Sequence, residues 1–134
     1  MAHQQDGRER VARCACGNLT VTARGEPSYV HLCSCTDCQR SSGSAFSYSA
    51  FFPESAVSIV GEKRTYRQRA DSGRFIDSFF CPNCGTSVLF RAEGLPGTLG
   101  VPVGASPIQA SLGRQSCSGP RGDTTGSSFP RASR

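Results

Sequence analysis

Seven of the eight cysteines fall into three short clusters, Cys14-x-Cys16, Cys33-x-Cys35-x-x-Cys38 and Cys81-x-x-Cys84. Four thiolates close a tetrahedral zinc site, whereas three leave a zinc with an open coordination position. A closed site holds a fold together; an open one can do chemistry. The spacing has a geometric reason. Along an extended strand, residues i and i+2 point to the same face, so a Cys-x-Cys pair can turn both sulfurs toward one metal. Cys-x-x-Cys does the same through a tight turn, and Cys81-Pro82-Asn83-Cys84-Gly85 carries the Pro, Asn and Gly that such a turn favours. Gly17 and Gly85 allow positive φ beside the ligands. A disulfide framework is the competing reading, but paired short spacings without a secretory signal favour metal.

The elements that must position these ligands are short strands. Leu19–Ala23, Tyr29–Leu32, Ala45–Phe52, Val57–Val60, Arg64–Arg67, Arg74–Phe80 and Ser87–Phe90 are rich in β-branched and aromatic residues, and turn signals separate them. The class is therefore all-β. No stretch predicts a long amphipathic helix, and Thr36–Ser41 is expected to form a single helical turn.

Composition limits the alternatives. With 134 residues, no Trp and 15 Gly, the chain forms one domain with a modest core that metal crosslinks would reinforce. Residues 1–10 are polar and expected to fray, residues 11–105 form the domain, and residues 106–134 form a tail. The net charge is +5, but residues 11–105 hold nine basic against seven acidic groups. The domain thus lacks a strong nucleic-acid footprint. No segment approaches the roughly 20 apolar residues of a membrane helix. The N-terminus has no apolar run, so a signal peptide is not expected and a reducing cytoplasm suits the thiolates.

The three clusters, read as Cys14-Ala15-Cys16-Gly17, Cys33-Ser34-Cys35-Thr36-Asp37-Cys38-Gln39-Arg40 and Phe80-Cys81-Pro82-Asn83-Cys84-Gly85, resemble those of the glutathione-dependent formaldehyde-activating enzymes, a superfamily that includes centromere protein V. Ser42-Gly43, the aromatic strand Phe46–Phe52 and the Gly61-Glu62…Tyr66 segment extend the likeness over residues 11–105. The resemblance implies a small β-tent fold with two Zn²⁺ ions. A structural zinc would be held by Cys14, Cys16, Cys81 and Cys84, and a second, catalytic zinc by Cys33, Cys35 and Cys38. Spacing alone leaves that partition open, since Cys14 and Cys16 can equally pair with Cys33 and Cys35.

The implied chemistry is that of a carbon–sulfur lyase. A thiol-rich zinc is a weak Lewis acid, poorly suited to making hydroxide, but it can accept a further thiolate such as that of glutathione. That thiolate could attack an aldehyde, formaldehyde in the family, giving S-(hydroxymethyl)glutathione. Arg40 is a candidate partner for a substrate carboxylate, with a solvated surface arginine the competing reading. His31 shares a strand face with Cys33 and is a candidate base, against a purely structural histidine. Phe46, Tyr48, Phe51, Phe52 and Tyr66 are candidate pocket residues, most of them expected in the core.

Beyond Ala105 the family's acidic and aromatic continuation gives way to a tail in which Ser, Gly and Pro fill 14 of 29 positions. Such a tail is expected to be disordered, and the break at residue 106 suggests a frameshifted or truncated C-terminus. Arg121-Gly122-Asp123 is read as coincidence, and Cys117 as a free thiol, with a fourth ligand for the open zinc the sharper alternative. A non-catalytic zinc-binding interaction module is the competing function class; a redox-active thiol protein is weaker, because ligated thiolates are not free to cycle.

Overall fold

The structure, a computed structural model, describes residues 7–70 and 72–106. The expectations for the tail beyond Ser106, Cys117 included, lie outside these residues. Nine strands are present among them, with one α-helix and two short 3-10 turns. The strands are β1 (Glu9–Arg13), β2 (Thr20–Arg24), β3 (Tyr29–Cys33), β4 (Ser47–Pro53), β5 (Val57–Val60), β6 (Arg64–Arg69), β7 (Phe75–Phe80), β8 (Ser87–Ala92) and β9 (Thr98–Pro102). The helix α1 spans Thr36–Ser42 and exceeds the single turn expected.

The strands form two antiparallel sheets. One is three-stranded, in the order β1-β2-β5; the other is six-stranded, in the order β3-β4-β9-β8-β7-β6. Side chains alternate across each strand, so one face of every strand can turn inward. Ala12, Val21 and Ala23 of the small sheet pack with Ala50, Phe52, Val88, Leu89, Leu99 and Val101 of the large one. Phe52, Leu19, Leu89, Val21 and Val88 are almost wholly excluded from solvent. Burial of such a side chain contributes about 1.5–3 kcal/mol. In a domain without Trp these contacts carry much of the stability.

Two strands depart from the sequence reading. β1 begins at Glu9, inside the stretch expected to fray, because Arg10 and Val11 pair with Ala23 and Thr22 of β2. The Arg10 side chain also reaches across to Glu26 at 2.9 Å. β9 was hidden because Gly100 and Pro102 break the strand signal. It nevertheless lies inside the large sheet, with Pro102 at its last position, where a missing N–H matters least.

Gly100 has a specific packing reason. Any Cβ at this position would overlap the Phe90 ring, which lies across the glycine. Gly100→Ala is therefore expected to displace Phe90 and cost about 1–3 kcal/mol. Thermal denaturation should show this as a fall in Tm of about 4–8 °C per kcal/mol. An unchanged Tm would mean that the ring does not rest on the glycine.

The aromatic residues divide by position. Phe51 and Phe52 are buried, as expected for core residues, but Phe46, Tyr48 and Tyr66 stand exposed. Tyr48 lies opposite Leu32 of the edge strand β3, which is itself exposed, and Tyr66 lies on the opposite edge strand β6. Tyr48 alternates with Ala50 and Phe52 and borders a groove with Val21 and Ala23 of the small sheet, whereas Tyr66 lies level with Phe90 on the other face of the large sheet. No helix among the described residues is long and apolar enough to cross a membrane.

Candidate metal centres

The four-cysteine group forms where the two sheets meet. Cys14 and Cys16 follow β1, and Cys81 and Cys84 lie in the β7–β8 connection. Each pair sits in a tight hairpin of similar design. Cys14 N donates to Leu19 O at 3.0 Å, and Cys81 N donates to Thr86 O at 3.0 Å. Gly17 and Gly85 turn the chain with φ of 81° and 76°, values that favour glycine. Ala15 N donates to Thr86 Oγ1 at 3.2 Å and ties one hairpin to the other.

The four Sγ atoms all lie within 4.8 Å of one another. Cys16 Sγ is 3.6 Å from both Cys14 Sγ and Cys81 Sγ. Thiolates on a tetrahedral zinc, with bonds of about 2.3 Å, stand roughly 3.8 Å apart, so the donor set fits such an ion. Cys14 and Cys81 are buried while Cys16 and Cys84 face solvent. Hydrogen bonds from the Thr86 hydroxyl and backbone hold the Cys84 thiol down at about 5. Asn83 likewise lowers that of Cys16. At Cys16 and Cys84 this environment favours thiolate, the form that binds metal. At Cys81, against the lowering pull of the Cys84 backbone N–H, burial pushes the thiol up to about 11, so metal binding must release a proton there. Thr86 was not singled out by spacing arguments, although it lies only two residues beyond Cys84.

The second group is built on β3 and α1. Cys33 ends the strand, Cys35 caps the helix, and Cys38 lies in its first turn. Cys38 N donates to Cys35 Sγ at 3.4 Å, which satisfies one of the free donors at the helix start. Gln39 Nε2 donates to Ser34 O at 2.8 Å, holding the intervening residue in place. Gly43 ends the helix in the left-handed region, with φ of 62°. The three Sγ atoms also lie within 4.8 Å of one another, and no further His, Cys, Asp or Glu donor among the described residues joins them. The Cys38 backbone N–H lowers the Cys35 thiol, whereas burial pushes the Cys38 thiol up to about 11. Metal binding here must therefore release a proton from Cys38.

The structure thus pairs Cys14 and Cys16 with Cys81 and Cys84 and keeps Cys33, Cys35 and Cys38 as a separate group. His31 and Cys33 both lie on β3 opposite Ser49 and Ser47, hence on one face of the sheet. The His31 ring is exposed and stacks on Tyr29, with centroids 5.8 Å apart. Arg40 is exposed on α1 and makes no ion pair among the described residues.

Two antiparallel sheets bridged by a four-cysteine group, with a three-cysteine group at one sheet edge, define a small cysteine-clustered β protein. Within that class, the chain belongs to the glutathione-dependent formaldehyde-activating enzyme family, whose model matches residues 9–115. A Penicillium rubens protein named "Putative glutathione-dependent formaldehyde-activating enzyme" is 30% identical over 80 residues, covering 60% of this chain and 41% of the relative. Proteins of the same name from Aspergillus flavus and Emericella nidulans are each 26% identical, over 80 and 87 residues. Those matches cover 60% and 65% of this chain, and 41% and 44% of the relatives. The chain spans about two fifths of the length of these curated relatives. A crystal structure of a Rhodobacter sphaeroides protein shares the fold, with a TM-score of 0.58 at 20% identity over 77% of this chain and 94% of that one.

Proposed function

We propose that the protein is a zinc-dependent carbon–sulfur lyase acting on a thiol–aldehyde adduct, with glutathione and formaldehyde as the pair suggested by its family. The observation that carries this reading is the three-cysteine group, whose ligand atoms gather without a fourth donor among the described residues. Cys33, Cys35 and Cys38 would hold the catalytic ion, and Cys14, Cys16, Cys81 and Cys84 a structural one. When bound, the catalytic zinc supplies a soft centre that favours the deprotonated form of an added thiol.

The chain's own contribution is positioning. α1 carries two of the three thiolates within its cap and first turn, so their geometry is set by backbone hydrogen bonds as well as by rotamers. In the reaction, the thiol sulfur bonds to the aldehyde carbon, the carbonyl π bond opens, and the thiol proton ends on the oxygen. The lyase direction reverses each change. His31 would carry that proton, and Arg40 would meet a carboxylate of the thiol substrate. The intracellular setting that suits such thiol chemistry is part of the same proposal.

Cobalt substitution tests the reading. Two ions per chain are expected, with visible absorption that changes on adding glutathione, because the three-thiolate ion gains a ligand. One ion per chain, or a spectrum indifferent to the thiol, would instead favour a structural module without turnover.

A further inference from the structure

We propose that the outer face of the large sheet carries a subsite for a planar apolar group, such as an aryl ring, on the thiol–aldehyde adduct. The proposal rests on the reading of the three-cysteine group given above. It starts from the register. Tyr29 lies opposite Phe51, Phe51 opposite Gly100, and Gly100 opposite Phe90. One level of the sheet therefore presents Tyr, Phe, a gap and Phe across four adjacent strands.

These rings touch. Tyr29 and Phe51 have centroids 5.7 Å apart, and Phe51 meets Phe90 edge-to-face at 5.4 Å. Phe90 fills the space that Gly100 leaves. The result has a buried floor and an open rim, since Phe51 is 5% exposed while Tyr29 is 50% exposed. His31 extends the shelf toward the cysteines by stacking on Tyr29 with ring planes 22° apart.

The shelf is continuous with the site. Tyr29, His31 and Cys33 alternate onto the same face of β3, opposite Phe51, Ser49 and Ser47. At about 3.4 Å per residue, His31 lies roughly 7 Å and Tyr29 roughly 14 Å along the strand from Cys33. A substituent on an adduct held at the cysteines would cross this distance. Tyr29, Phe51, Phe90, Ser47 and Ser49 bring no formal charge to the face. It therefore suits a flat apolar group, which would stack on the exposed rings, better than a peptide carboxylate. Formaldehyde, with a single carbon, leaves the shelf unused.

The test uses the full, zinc-loaded chain. Benzaldehyde with glutathione is compared with formaldehyde and glutathione, and with formaldehyde and benzyl mercaptan. Turnover is measured for each pair, together with NMR saturation transfer to the aryl protons. The wild type is expected to transfer saturation to the ring, and Tyr29→Ala to reduce that transfer. Tyr29→Ala should also lower the benzaldehyde-to-formaldehyde ratio of kcat/KM about tenfold. Tyr29→Phe should restore both. A ring signal in the benzyl mercaptan arm alone would support the shelf and assign the aryl group to the thiol. Wild-type turnover of formaldehyde with neither a ring signal nor a Tyr29→Ala effect in any arm would overturn the shelf. Ring binding without turnover of any pair would instead overturn the lyase reading while supporting the subsite.

Discussion

Replacing Cys81 with serine is expected to abolish the folded state at 25 °C rather than merely weaken it. Cys81 is fully buried, belongs to the core and joins the proposed structural zinc site between the two sheets. Structural zinc in small domains contributes about 10–16 kcal/mol of apparent binding free energy at neutral pH. A domain of this size has a net stability of about 5–15 kcal/mol, so loss of a ligand can consume all of it. The exchange of thiol for hydroxyl alone would cost only about 1–3 kcal/mol, if the new group lacked a partner. The size of the effect therefore separates the two causes. Near-UV circular dichroism and amide chemical-shift dispersion should collapse in Cys81→Ser and in wild type treated with a strong chelator. A variant that melts within a few degrees of wild type, with or without chelator, would rule out a structural metal here.

Cys35→Ser should have the opposite profile, with folding retained and chemistry lost. The Cys35 thiol is exposed and caps α1 by accepting from Cys38 N. Serine is among the preferred N-cap residues, so its hydroxyl can take over that hydrogen bond. The helix and Tm should change little, while the proposed catalytic ion loses one of its three thiolates. Altering groups that only support a metal ligand costs about 10–100-fold, so removing the ligand itself should lower thiol–aldehyde turnover by at least about 100-fold. The measurement is kcat/KM for glutathione and formaldehyde, with cobalt or zinc content determined on the same sample. Undiminished turnover in a variant that has lost the ion would remove the three-cysteine group from the mechanism.

The contrast between these two variants follows from where the same kind of side chain sits. Cys81 is surrounded by both sheets, so its replacement is felt by the whole core. Cys35 stands at the start of a two-turn helix on the surface, where its loss is felt by the site alone. A single pair of melting curves, read beside the activities, would therefore assign the two groups their different roles.

Much of this arrangement was legible in the linear sequence because the signals were local. The cysteine spacings, the glycines after them and the alternating strands β2, β3, β5 and β7 depend on neighbours a few residues apart. So does the shared face of His31 and Cys33, which needs only the two-residue period of a strand. What escaped was non-local. β9 reads poorly as a strand because Gly100 and Pro102 have low strand preference, yet hydrogen bonds to β4 and the Phe90 ring settle its place in the sheet. The exposure of Tyr66 depends on which face of the large sheet the smaller sheet packs against, which no window of sequence contains. The same holds for the grouping of the seven cysteines. Residue types and spacing by themselves determined that clustered thiols able to hold metal were present. Only the tertiary structure brought Cys14 and Cys16 to Cys81 and Cys84, because hydrophobic packing of two sheets placed hairpins some 65 residues apart side by side.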